Sequence, residues 1–150
     1  MAKMTASFSR ATASTTLSIG SWVADATRPR RLRLSFASFG SAATPADQTY
    51  VFQVGLVTAA GTSTAVTPRN FDGASATTES DAGENHSVDA TYSGEPFVYT
   101  PCHQRNTLVI YFPEGGEPVS PATASNGFGF KTPVSTGTAA VDVTAHVIEE

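Results

Sequence analysis

The chain has 150 residues, a formal net charge of -4 and charged residues at 15% of its positions, compared with about 25% in an average soluble domain. General binding to nucleic acid is disfavoured, because it depends on clustered Lys and Arg side chains that neutralise phosphates. A hydrophobic fraction of 40%, with nine Phe and four Tyr, is too high for a disordered chain and favours one domain with a single core.

Cysteine content and hydropathy exclude further kinds of site and of protein. Cys102 is the only cysteine, so an intrachain disulfide and a zinc site built from several thiolates are both excluded. The first ten residues lack the apolar run of a secretory signal, and no 18 apolar residues occur in succession. We therefore expect a protein that is made in the cytoplasm and does not span a membrane.

The first half of the chain predicts short strands joined by polar turns. Residues 1–13 are rich in Thr, Ser and Ala, and we predict a flexible N-terminal arm that precedes a single β domain at 14–150. Alternating apolar and polar residues then predict the first four strands. These are 17–23, 31–36, 50–58 and 64–67. Apolar residues occur at both parities of 50–58, so we expect both faces of that strand to be covered.

The segment 72–90 shows the weakest strand signal. Its residues are small, acidic and polar, with no apolar stripe at helical spacing. We predict a long surface loop here. Loops of this length are uncommon in compact domains unless they are functional, so we expect this one to become ordered against a neighbouring subunit.

Strand signals resume in the second half and define the fold class. No window of twelve residues carries apolar positions at helical spacing, so a substantial helix is not expected. About eight or nine short strands with regular turn signals predict an all-β fold, either an antiparallel β-sandwich or a jelly-roll or Greek-key barrel. The later strands are predicted around Tyr92 and at 97–99, 106–112, 119–122, 127–131 and 139–148.

Four arginines within six residues form the one local concentration of positive charge. Two of them, Arg31 and Arg33, alternate with Leu32, Leu34 and Phe36, which predicts a strand with one buried and one cationic face. Three interpretations are open: a solvated strand face, a basic patch that meets an acidic neighbouring subunit, and direct contact with nucleic acid. The four residues taken as candidate contacts are Arg28, Arg30, Arg31 and Arg33.

Acidic residues of the predicted loop are the candidate counterpart of these arginines. Their carboxylates could also supply an oxygen-rich cation site at a subunit boundary, but their spacing matches no EF-hand pattern. A solvated loop is the favoured interpretation. The residues in question are Asp72, Glu79, Asp81, Glu84 and Asp89.

Residues suited to catalysis are few. Cys102 and His103 are adjacent, and adjacent side chains of a strand point to opposite faces, which is poor geometry for a thiolate and its base. The three histidines have no helical metal-binding spacing, and Gly115-Gly116 is followed by Glu and Pro rather than by a phosphate-binding Lys. We predict no catalytic residues, no metal and no cofactor.

Three stretches together resemble a known group of proteins. They are 41–47, which leads into the strand at 50–54, the segment from His103 to Glu117, and 121–127. The resemblance is to small β-rich virion proteins of tailed bacteriophages, described as decoration, cement or head-stabilising proteins. It covers roughly 17–148.

The resemblance implies a non-enzymatic homotrimer on the outside of a capsid, with the major capsid protein and its own copies as partners. On this interpretation the arm 1–13 becomes ordered only on the capsid. Two alternatives are kept: a carbohydrate- or receptor-binding head fibre domain, which requires an exposed aromatic cluster, and a head-to-tail connector or tail structural protein. For the aromatic residues themselves, core packing is favoured over a stacking surface.

Overall fold

The computed structural model describes residues 1–72 and 79–150. Within these ranges the chain forms twelve β-strands and no helix, so no described segment could cross a membrane as an apolar helix. The strands are β1 (Ala2–Arg10), β2 (Gly20–Ala24), β3 (Leu32–Gly40), β4 (Thr49–Ala59), β5 (Thr62–Val66), β6 (Arg69–Asn70), β7 (Ser80–Val88), β8 (Thr91–His103), β9 (Leu108–Tyr111), β10 (Val119–Ser120), β11 (Gly127–Ser135) and β12 (Val141–Glu149).

The strands form two antiparallel sheets that pack face to face, which confirms the predicted β-sandwich. Sheet A has the order β10-β3-β12-β1-β6. Strand β9 pairs with the same edge of β3 as β10 does, but further along that strand. Sheet B has the order β5-β7-β2-β11-β4-β8. Every pairing is antiparallel, so each strand that is half-buried alternates inward apolar and outward polar residues.

The core lies between the sheets and is rich in aromatic rings. Phe8 of sheet A stacks on Phe130 of sheet B at 5.4 Å and meets the edge of Trp22 at 6.4 Å. Phe39 of sheet A stacks on Phe52 of sheet B at 5.0 Å. All five side chains are fully buried, and offset or edge-on ring pairs of this kind add about 0.5–1.5 kcal/mol each beyond area burial.

Part of the outer face of sheet B is covered as well, as predicted for 50–58. Val23 and Val57 pack there against Ala90 and Tyr92, in a small cluster separate from the main core. Glycine makes this possible at two positions, because a Cβ at Gly129 would lie 2.7 Å from the Tyr92 hydroxyl and one at Gly55 would lie 2.9 Å from its ring. Tyr92 therefore lies flat across the sheet.

The prediction of a flexible arm at 1–13 is wrong. Residues Ala2–Arg10 form β1, which pairs along its whole length with β12. Met4, Ala6 and Phe8 alternate inward and are buried, and this period of two was disguised by the small Thr and Ser residues between them. The first strand is thus part of the core of sheet A.

The predicted loop at 72–90 is also largely wrong. Ser80–Val88 forms β7, with β2 on one side and β5 on the other. Its inward positions are occupied by Ala82 and His86, so the strand carries few of the large apolar residues by which strands are recognised. The part of the prediction that falls on 73–78 lies outside the described residues.

The remaining strands lie where alternation predicted them, with altered bounds. The separate signals around Tyr92 and at 97–99 belong to one strand, β8, which ends sheet B. Gly94 adopts a φ of 74°, and the pairing with β4 shifts between Val54 and Leu56, so β8 bulges midway. Pro96 and Pro101 are tolerated because the strand lies at an edge.

The packing of β1 predicts that a substitution on its inward face lowers the stability of the protein much more than one on its outward face. Phe8→Ala should lower the free energy of unfolding by about 3–5 kcal/mol, because it removes a ring from the centre of the core. Ser7→Ala, on the outward face of the same strand, should change it by less than about 0.5 kcal/mol. Urea unfolding followed by tryptophan fluorescence measures both values. Small, equal effects would show that β1 does not pack as described.

Candidate interaction surfaces

Two of the four candidate arginines pair with Glu79 of the same chain. Arg28 Nη1 lies 3.4 Å from Glu79 Oε1, and the Arg30 guanidinium donates to the other oxygen of that carboxylate. The hydrogen bond from Arg30 holds the pKa of the Glu79 carboxyl below its usual value. Glu79 immediately precedes β7, so the arginines do meet the 72–90 segment, but within one molecule.

The other two arginines also have partners in their own chain. Arg31 Nε lies 4.0 Å from Glu150, and the Arg33 guanidinium contacts both Glu150 and Glu117, the latter at 3.8 Å. The Arg33 and Glu117 side chains are only 28% and 5% exposed. Four positive and three negative charges therefore nearly cancel in one Arg–Glu belt. Its members are Arg28, Arg30, Arg31, Arg33, Glu79, Glu117 and Glu150.

Glu149 lies beside the belt and is 8% exposed. Its Oε1 has no hydrogen-bond partner in the described part of the chain. Burial raises the pKa of this group, which favours its neutral form.

The other four candidate acids do not converge on one site. Glu84 accepts hydrogen bonds from the backbone nitrogen and hydroxyl of Ser9, at 2.7 and 3.1 Å, and so links β7 to β1. Asp81 is exposed on sheet B, and its pKa is raised by desolvation and by Asp25. Asp72 is exposed in the turn after β6. With Glu79 held by the arginines, these carboxylates form no common cation site, and the described residues contain no cluster of His, Cys, Asp or Glu arranged to bind a metal.

Asp89 belongs to a polar network that the sequence did not indicate. Its Oδ1 accepts hydrogen bonds from the Ser18 backbone nitrogen and hydroxyl, at 2.8 and 2.6 Å, and Lys131 pairs with its other oxygen. The Tyr92 hydroxyl lies 2.8 Å from that of Ser18, and Lys131 Nζ lies 5.5 Å from the Tyr92 ring centroid.

This network has the composition of a catalytic site but not its accessibility. Ser18 is fully buried, and desolvation raises the pKa of the Tyr92 hydroxyl well above its usual value, so neither group is activated. Each of these polar groups forms a hydrogen bond or an ion pair with another member of the network, as buried polar groups require. The network clamps the start of β8 onto sheet B.

The adjacent Cys102 and His103 are not paired with each other. Cys102 lies opposite Tyr50 and packs against the core, where burial raises the pKa of its thiol to about 11. The Nδ1 of His103 accepts a hydrogen bond from the Arg105 backbone at 3.2 Å, and its Nε2 lies 4.0 Å from Asp47. The thiol is a packing group here, as the sequence predicted.

The outer face of sheet A carries an aromatic row that sequence reasoning missed. A bulge in β3 explains it: Leu34 lies opposite Val147 and Phe36 opposite His146, so Ser35 is an extra residue. Phe36 was predicted to share the buried face of Leu32 and Leu34. The bulge turns its ring outward instead, onto the ring of His146 at a centroid distance of 4.3 Å.

Strand register extends this pair into a line of rings. Tyr111 lies opposite Phe36 at 5.0 Å on one side, and Phe71, just after β6, meets the edge of His146 at 4.8 Å on the other. Tyr111 is 76% exposed and Phe71 is 57% exposed. We call this line the aromatic row. Its members are Tyr111, Phe36, His146 and Phe71.

A second apolar surface lies on the opposite side of the sandwich. Val51 on β4 faces outward between Pro101 of β8 and Val134 of β11, and Tyr99 follows on the same face of β8. Tyr99 and Val134 are 54% and 50% exposed. We call these four residues the sheet B patch. Among the described residues, each outer face of the sandwich therefore carries an apolar surface.

The partial burial of Arg33 and Glu117 predicts that this pair matters more than the rest of the belt. Arg33→Gln should lower the free energy of unfolding by about 1–2 kcal/mol, because it removes the ion-pair partner of the buried Glu117 side chain, which keeps only the hydrogen bond that the Gly115 backbone nitrogen donates to it. Arg28→Gln should have no measurable effect, since the Arg28 side chain is 75% exposed. Urea unfolding compares the two. A larger loss for Arg28→Gln would contradict this account of the belt.

The raised pKa of Cys102 predicts that its thiol reacts slowly with a disulfide reagent. At pH 8 about 0.1% of such a thiol is ionised, compared with about a quarter of an unperturbed cysteine. The folded protein should react with a disulfide reagent at least about tenfold more slowly than the chain in denaturant. Stopped-flow or manual absorbance measurements give both rates. Equal rates would show that the thiol is not buried as described.

A scan against protein-family models finds no family that matches this chain. A search of curated proteins finds no protein that matches it.

Proposed function

We propose that this protein is a structural virion component that decorates and stabilises a bacteriophage capsid. It binds the major capsid protein and its own copies, as a homotrimer on the outside of the head. The proposal assigns it no catalytic role, cofactor or metal. Its support is the resemblance of three sequence stretches to capsid decoration proteins, together with the surfaces described above.

The observation that carries the proposal is the sheet B patch. Its four residues lie on adjacent strands in register, so their exposed apolar atoms are contiguous. Contiguous exposed apolar area on a soluble domain marks an interaction surface, and an exposed tyrosine is among the residues enriched at interface centres. A protein that holds neighbouring subunits together requires this kind of surface.

The contact is made through the face of sheet B rather than through its edge. Strand β8 ends the sheet, but Pro96 and Pro101 lack the backbone N–H that strand addition needs. The bulge at Gly94 further interrupts a regular edge. Side-chain packing on Tyr99 and Val134 is therefore the favoured mode of assembly.

The Arg–Glu belt is a secondary contact in this proposal. Its arginines are already paired, but the Arg28 and Arg31 side chains are 75% and 55% exposed and can share their donors with a neighbour. Contacts of this type tune association and respond to ionic strength. Nucleic acid is not a partner, because the belt has little net charge to attract phosphates.

The test compares assembly of the wild type with a variant that carries charge in the patch. The wild type should have the mass of a trimer in light scattering and should be present in purified virions. The double variant Tyr99→Asp and Val134→Asp should lower both trimer formation and capsid occupancy at least about tenfold, because association would then bury unpaired carboxylates.

A matched control separates this effect from net charge. Thr62→Asp together with Thr64→Asp introduces the same number of carboxylates at exposed positions of β5, on the far edge of sheet B, and should leave mass and occupancy unchanged. Circular dichroism checks that every variant is folded. A monomeric wild type that is absent from virions, or full occupancy of the double variant, would overturn the proposal.

A further inference from the structure

The aromatic row on sheet A is a surface without an assigned role. It lies on the sheet opposite to the sheet B patch, and it is not explained by core packing because its end rings are mostly exposed. The central rings, Phe36 and His146, stack on each other and are half-buried. They support the two exposed rings, Tyr111 and Phe71, at either end.

A parallel line of hydroxyl groups runs beside the aromatic row. It lies two residues further along each strand. Ser38 of β3 is paired with Val109 of β9 on one side and with Thr144 of β12 on the other, and Thr144 is paired in turn with Ser7 of β1. The Ser7 and Thr144 hydroxyls are 3.0 Å apart and exposed. The face thus offers ring surfaces and hydroxyl donors and acceptors side by side.

The charge of this face selects a class of ligand. The aromatic and hydroxyl lines contain no Asp, Glu or Lys, and burial lowers the pKa of His146, which keeps it neutral near pH 7. Charged groups flank these two lines: Lys3 and Arg69 near Phe71, the Arg33–Glu117 pair on one neighbouring register, and the exposed Asp142, two residues from Thr144 on β12, on the other. A neutral ligand with apolar faces and many hydroxyls complements such a surface.

The length of the row matches a short oligosaccharide. The centroid distances of 5.0, 4.3 and 4.8 Å put Tyr111 and Phe71 no more than about 14 Å apart, a span that a short oligosaccharide covers.

We infer that the aromatic row and the hydroxyls beside it form a binding site for a neutral, pyranose-containing oligosaccharide. Tyr111 and Phe71 stack on the apolar faces of two sugar rings. Ser38 and Thr144 hydrogen-bond to sugar hydroxyls, and Arg69 donates at the margin. The site goes beyond the proposed function, because it lies on the other sheet and does not require the capsid contact.

The test is titration of the wild-type protein with cellotriose, maltotriose and chitotriose, followed by nuclear magnetic resonance of the backbone amides and by calorimetry. At least one trisaccharide should bind with saturable shifts confined to the outer face of sheet A. Tyr111→Ala and Phe71→Ala should each weaken that binding at least tenfold, while Tyr111→Phe should retain most of it. Because Tyr111 is mostly exposed, Tyr111→Ala is expected to fold normally.

Val88→Ala is the control, since it shortens an apolar side chain that is 57% exposed, as Phe71 is, on β7 of sheet B and outside the sheet B patch, and it should leave sugar binding unchanged. Three outcomes would overturn the inference: no binding of any of the three sugars, binding that survives Tyr111→Ala and Phe71→Ala, or self-association or capsid attachment that depends on Tyr111. Salt-sensitive binding of a sulfated oligosaccharide in preference to the neutral ones would also overturn it. Loss of sugar binding with intact virion occupancy would leave the proposed function standing.

Discussion

The seating of Phe8 between the two sheets is the contact on which the rest of the structure depends. A Cβ at Gly20 would lie 2.4 Å from the Phe8 ring, so the ring occupies space that only glycine leaves open in β2. Strand β1, which carries Phe8, is also tied to sheet B by hydrogen bonds that Ser9 donates to the Glu84 carboxylate and Arg10 donates to the backbone oxygen of His86, the latter at 2.8 Å. Sheet A is therefore held in one position over sheet B, and both outer faces are held in fixed positions.

Ion pairs within the chain lower the net positive charge of its most basic segment. With 22 charged residues in 150, pairing of the arginines with Glu79, Glu117 and Glu150 removes most of the local positive potential. Outside the belt, the surface carries the aromatic row and the sheet B patch. Recognition by this protein is therefore expected to rely on shape and apolar contact more than on electrostatic attraction.

The sequence predicted the parts of the fold that alternation alone determines. In β9, which lies within the predicted strand 106–112, Leu108 and Ile110 face the core while Val109 and Tyr111 face outward. Strands β1 and β7 were missed because small and polar residues fill their outward or central positions, and neighbouring strands on both sides supply the stability that their own side chains lack. The aromatic row was missed for another reason: it depends on the extra residue Ser35 and on the register of four strand pairs, and neither is a property of any single segment.

The two apolar surfaces are compatible with simultaneous use because of how a sandwich is built. The sheets are separated by the core, about 10 Å thick, and the outward residues of one sheet cannot reach those of the other. A partner bound to Tyr99 and Val134 therefore leaves Tyr111 and Phe71 exposed on the far side. If copies of the chain are anchored through sheet B on a shell, their aromatic rows face away from it in a repeated array, and many weak sugar contacts then act together.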